Sequence, residues 1–135
     1  MTRLRIVQCH GHFDLLHPGH IKHLKEASKL GRLSVTLTSG KYMTKFGHPI
    51  FSDDERLEML SSLRFVSSVI VINSAYPYDA IDEVNPDIYV KGKEYEGKLP
   101  EQTYCEAKGI KVMFLGEKLY GSTTLAQRTG ILRTA

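Results

Sequence analysis

The sequence predicts an α/β protein, a doubly wound parallel sheet of about five strands with helices on both faces. Three observations carry that expectation. Short runs of β-branched and apolar residues recur five times. Stretches with apolar residues at helical spacing separate them. At 135 residues, 41% of them hydrophobic, the chain can bury a sizeable core. Alternation of this kind implies parallel strands joined by right-handed crossovers, with helices on both sides. No linker or low-complexity stretch divides residues 1–135, which read as a single domain.

The first strand is predicted over Leu4 to Cys9. Ile21, Leu24, Ala27 and Leu30 then recur at helical spacing, and Gly31 stops that helix. A second strand, Leu33 to Thr38, is followed by Ser52-Asp53-Asp54-Glu55, which fits a capping box ahead of Leu57, Leu60 and Leu63. Val69 to Ile72 gives the third strand. A third helix over Asp79 to Val84 is closed by Asn85-Pro86, and Ile88 to Val90 gives the fourth strand. Pro100 to Lys108, closed by Gly109, is the fourth helix, and Val112 to Leu115 the fifth strand. Ser122-Thr123-Thr124 would open a last helix.

Charge and cysteine usage narrow the function classes. Eighteen basic and 15 acidic side chains are scattered along the chain, for a net charge of +3 without a block of like charge. Nucleic-acid binding gains nothing from that distribution, whereas an anionic small molecule is easily accommodated. Cys9 and Cys105 make no disulfide framework, and no signal-peptide or membrane-length apolar run is present, so a cytoplasmic protein with no membrane partner is expected.

Ligands of such sheets bind where strand ends meet helix N-termini. The stretch FDLLHPGH, residues 13–20, lies at that point. A helix start there favours a phosphate. Neither a Walker loop nor a G-x-G-x-x-G fingerprint occurs, so the imidazoles must supply the donors. His10, His12, His17, His20 and His23 crowd fourteen residues, which also raises zinc. Cys9 and Asp14 do not fall at the paired spacings of a structural zinc site, and no protein-held metal is expected. His10, His12 and His23 read as solvated or lining the site, Asp14 as a turn cap, Cys9 as a small core residue and Cys105 as a helical one.

His17-Pro18-Gly19-His20, preceded by Gly11-His12-Phe13-Asp14, resembles the H-x-G-H signature of the nucleotidyltransferase superfamily, which includes cytidylyltransferases, phosphopantetheine adenylyltransferase and class I aminoacyl-tRNA synthetases. Pro86 to Tyr95 resembles the P-D-x-x-V-K-G-x-[DE]-Y segment of its heptose-phosphate adenylyltransferase branch. Gly121-Ser122-Thr123-Thr124 resembles the late phosphate motif, so the likeness runs from about Arg5 to Arg128. It implies a Rossmann-like fold and transfer of a nucleoside monophosphate from a triphosphate to a phosphorylated acceptor, with pyrophosphate released. His17, His20 and Lys45 are then the catalytic candidates. Gly11, His12, Phe13, Gly19, Lys91, Gly92, Ser122, Thr123 and Thr124 would bind nucleotide, and Lys41, Arg56 and Arg128 substrate phosphates. Arg56 reads equally as a surface ion pair. Mg²⁺ entering with the triphosphate and a homodimer are further implications.

The acceptor's attacking oxygen is already anionic, so no enzyme nucleophile or general base is required and catalysis rests on alignment and donors. Val90 to Tyr95, and the lack of an arginine in Glu117-Lys118-Leu119-Tyr120, lean toward ATP and a heptose 1-phosphate-like acceptor. Tyr95-Glu96-Gly97-Lys98 is similar to the glycerol-phosphate cytidylyltransferases, which use CTP. A non-catalytic nucleotide-binding module is the alternative of a different class.

Overall fold

The computed structural model describes residues 4–43 and 49–116. Strands β1 (Ile6–Gly11), β2 (Arg32–Thr38), β3 (Ser68–Ile72), β4 (Ile88–Gly92) and β5 (Lys111–Leu115) form one sheet in the order β3-β2-β1-β4-β5. Every pairing is parallel. The connections carry α1 (Pro18–Ser28), α2 (Asp53–Ser61), α3 (Pro77–Val84) and α4 (Gln102–Ala107). This is the Rossmann-like α/β fold that the alternation predicts. The chain reverses its direction of winding at β1, which has β2 on one side and β4 on the other, so a crevice opens at their carboxyl ends.

Side chains alternate across the sheet, and the core divides accordingly. Val7, Cys9, Val35, Leu37 and Val90 pack with Leu24 and Ala27 of α1 and Leu60 of α2. On the other face Tyr89 packs with Ile81 of α3 and Cys105 of α4. There the Tyr89 hydroxyl donates to the buried Glu101 carboxylate at 2.9 Å.

Local signals fix most boundaries. Ser52 Oγ accepts from Glu55 N at 3.1 Å while the Glu55 carboxylate accepts from Ser52 N at 3.0 Å, which is the expected capping box of α2. Asn85, at φ 48°, ends α3 in the left-handed region ahead of Pro86. The strands differ from expectation at their carboxyl ends. β1 runs on to Gly11 and β4 to Gly92, because His10 and Gly11 pair with Thr36 and Leu37, and Lys91 and Gly92 pair with Phe114 and Leu115. Ladder hydrogen bonds recruit polar residues there that hydrophobicity does not mark.

Candidate active site

Gly11 closes β1, and Phe13, at φ 50°, turns the chain toward α1. A Cβ on Gly11 would stand 3.1 Å from the Phe13 ring, so any side chain there requires that buried ring to shift by a few tenths of an ångström. His17 is the N-cap of α1, with Pro18 supplying the preset φ of the first turn. Its Nδ1 accepts from Gly19 N at 3.1 Å and His20 N at 3.4 Å, while His20 Nδ1 accepts from His17 N at 3.4 Å. A capping box is thus built from two imidazoles. A ring nitrogen that accepts from an amide carries no proton, so both rings are neutral with their proton on Nε2.

The two rings stack, centroids 3.8 Å apart at 22°, and Phe13 meets His20 edge-on at 5.5 Å. Burial lowers the His17 pKa. Burial also lowers His20, to about 4, with the charges of His17 and His23 adding and a backbone hydrogen bond to Leu15 opposing. Burial thus disfavours the charged form of both imidazoles in the first turn of α1.

Arg56 is fully buried. Its Nη1 donates to His12 O and Thr38 O, each at 2.8 Å, its Nε to Phe51 O at 3.3 Å, and its Nη2 to Asp53 at 2.6 Å. Asp53 also accepts from Ser39 Oγ and Gly40 N, each at 2.8 Å. Desolvation works to raise the Asp53 carboxyl, but the bonds from Gly40, Ser39 and Arg56 outweigh it and hold it below its ordinary value. The guanidinium is thus a clamp across the loops leaving β1 and β2, and the ion pair it makes with Asp53 is buried on the arginine side instead of lying at the surface. Asp14 does the same for the segment before α2, accepting from Ile50 N at 2.8 Å and Phe51 N at 3.0 Å.

At the end of β4, Lys91 Nζ donates to His10 O at 2.9 Å and lies 5.2 Å from the centroid of the Tyr95 ring. Burial lowers its pKa, with Glu101, Cys9 and Glu94 opposing. His12 and His23 are lowered first by burial, and Lys91 adds to both. Lys41 is exposed in a 3₁₀ turn, Gly40–Tyr42. Among the described residues no three of His, Cys, Asp and Glu converge as a metal set. Cys9 is buried in the core and its thiol is pushed up to about 12 by that burial, against the charge of Lys91. Lys45, Ser122, Thr123, Thr124 and Arg128 lie outside the described residues.

Residues 9–127 match the model of the cytidylyltransferase-like family. The chain belongs to that family. It is 39% identical over 98 residues to the bifunctional protein HldE of Campylobacter concisus, covering 70% of this chain but only 21% of that one. It is 36% identical over 124 residues to the FAD synthase of Aciduliprofundum boonei, covering 88% of this chain and 82% of the relative. The crystal structure of the lipopolysaccharide core biosynthesis protein from Thermoplasma volcanium superposes with a TM-score of 0.73 at 32% identity, over 88% of this chain and all of that one. The protein is a nucleotidyltransferase. No helix among the described residues is long and apolar enough to cross a membrane.

For a nucleotidyltransferase, the structure brings His17, His20, Gly19, Phe13, Gly11 and His12 together at the head of α1. Lys91 and Gly92 end the neighbouring strand β4. Sequence reasoning passed over Asp53, Gln8 and Thr36, and gave His10 no role beyond lining. The signal for the last three was present in the pattern: polar residues at alternate positions of strands whose other positions are apolar.

Proposed function

We propose that this nucleotidyltransferase joins a nucleoside monophosphate from ATP to a sugar 1-phosphate of the heptose 1-phosphate kind. The observation that carries this reading is the imidazole capping box, which sets two neutral Nε2–H donors at the head of α1, where the helix end also favours an anion. A phosphate oxygen of the acceptor attacks the α-phosphorus, the bond to the β-phosphate breaks, and pyrophosphate leaves with the electron pair. His17 and His20 donate to phosphate oxygens as charge builds on them. Neither has to give up or take a proton, which suits rings held neutral by burial and by their Nδ1 bonds.

Support for the substrate pair comes from the Pro86 to Tyr95 segment, and from likeness to HldE proteins and to a lipopolysaccharide core biosynthesis protein. Mg²⁺ carried in by the triphosphate would neutralise part of its charge. Imidazoles, amides and a lysine, with the Asp14 and Asp53 carboxylates already engaged by N–H groups, fit an ion held by the nucleotide. A second reading, CTP with glycerol 3-phosphate, rests on Tyr95-Glu96-Gly97-Lys98. The test is pyrophosphate release over the four triphosphates crossed with heptose 1-phosphate, other sugar 1-phosphates and glycerol 3-phosphate, read as kcat/KM. The highest value for ATP with a sugar 1-phosphate is expected. A preference for CTP with glycerol 3-phosphate selects the second reading, and release with none of them selects a non-catalytic binding module.

A further inference from the structure

Gln8, in the middle of β1, is wholly buried, and its amide orientation is set by its neighbours. Nε2 lies 2.9 Å from the carbonyl oxygen of Ala80 on α3, and a carbonyl can only accept, so the nitrogen must face it. The other Nε2 proton goes to Thr36 Oγ1 at 2.9 Å. Gln8 Oε1 is left without a partner among the described residues. Thr36 Oγ1 thus receives a hydrogen bond from Gln8. Its own single proton has one recorded neighbour left, His10 Nδ1 at 2.9 Å. His10 Nδ1 is then an acceptor, and the imidazole carries its proton on Nε2. A relay from α3 through Gln8 and Thr36 fixes the tautomer of a histidine at the carboxyl end of β1.

The place of that histidine gives the relay a use. Gln8 and His10 share the β1 face toward α3, opposite the face that α1 covers. In the register, His10 comes one step beyond the Cys9–Val90 pair, beside Lys91, whose Nζ bonds to the His10 carbonyl. The His10 backbone and the Lys91 ammonium therefore meet at the β1–β4 crevice, across the β1 edge from His17 and His20. In-line transfer demands that the attacking oxygen approach from the side opposite the leaving pyrophosphate. We infer that His10 is a substrate-binding residue, whose Nε2–H, beside Lys91, holds an oxygen of the acceptor's phosphate while the head of α1 holds the triphosphate. Gln8 and Thr36 are positioning residues acting through it. The inference rests on the transfer to a phosphorylated acceptor proposed above. Burial, with Lys91 and His12 adding and a hydrogen bond from the charged ring to the Thr36 backbone opposing, lowers His10 to about 3 and favours its neutral form.

The kinetic test compares His10→Leu, His10→Asn and Thr36→Val. His10→Leu should raise the acceptor KM about tenfold, the loss of one well-placed hydrogen bond, with the triphosphate KM within about twofold on the same scale. His10→Asn, which keeps an N–H donor, should recover part of the loss. Thr36→Val touches no substrate, and should move the acceptor KM in the same direction by less. Long-range ¹H–¹⁵N spectra supply a readout that a packing role would not move: the Nε2–H tautomer of His10 in the wild type, and a mixture of tautomers in Thr36→Val. A titration with inorganic phosphate, followed at His10 Nε2, needs no turnover and so separates this inference from the proposed reaction. A phosphate-dependent shift at His10 Nε2 that persists in His17→Asn supports it. No shift, an Nδ1–H tautomer in the wild type, or a raised KM for triphosphate alone would overturn it.

Discussion

On the face that α1 and α2 cover, β1 and β2 contribute Val7, Cys9, Leu33, Val35 and Leu37, none more than 1% exposed. Toward α3 the same two strands alternate to Gln8, His10, Ser34, Thr36 and Thr38, of which Gln8 and Thr36 are fully buried. Ser34 is bonded to Ser68 of β3, and Thr36 to Gln8 and His10. On the first face β1 and β2 contribute buried hydrocarbon, which is non-directional. Toward α3 they contribute hydrogen bonds, which fix orientation and protonation, and the hydrocarbon buried there comes from Tyr89, Ile81 and Cys105. Stability and donor geometry are thus divided between the two sides of a single sheet.

The division makes substitutions diverge. The largest loss of stability is expected where the two plans meet, at Arg56. Arg56→Ala would strand the His12, Thr38 and Phe51 carbonyls and the Asp53 carboxylate. Denaturant unfolding should register about 3–5 kcal/mol. On the apolar face, Leu37→Ala should cost about 2–4 kcal/mol by the same measurement. On the polar face, Thr36→Val replaces a hydroxyl by a methyl of like size and should cost less, about 1 kcal/mol. A Thr36→Val loss equal to that of Leu37→Ala would erase the distinction.

The Arg56 clamp could not be read from sequence. Asp53-Asp54-Glu55-Arg56 is the composition of a solvated helix start, and the capping box was legible for that reason. What buries the guanidinium is the backbone of residues 18 and 44 positions earlier, Thr38 and His12, which only the sheet brings near. The sheet, its helices and the head of α1 rest on local signals: alternation, caps and the Pro18-Gly19 start. The donor relay through Gln8 needed the register of β1 against β2 and the approach of Ala80, and neither is local. The tautomers of His17 and His20 likewise follow from cap distances rather than from residue types.

A smaller effect follows from acid. The pKa of His10 is lowered from 6.5 to about 3 and that of His20 from 6.5 to about 4. Between those values and 6.5 the unfolded chain binds protons that the folded chain refuses. Their contribution to stability is therefore full above pH 6.5, shrinks as pH falls through the window, and is gone below about 3. Melting temperature should fall less steeply from pH 6.5 to 4 in His10→Leu than in the wild type. Equal slopes would remove His10 from the buried polar face.

The central claim is that the imidazoles at the head of α1 act as donors to phosphate, beyond capping the helix. His17→Asn separates the two, because asparagine is a strong N-cap but places no N–H where Nε2 of the imidazole lies. The decisive measurement is the single-turnover rate of pyrophosphate release by this variant, alongside its melting temperature. The account predicts a melting temperature close to the wild type, with a rate reduced by about 10²–10³. A rate within a few-fold of the wild type, in a variant that remains folded, would contradict it.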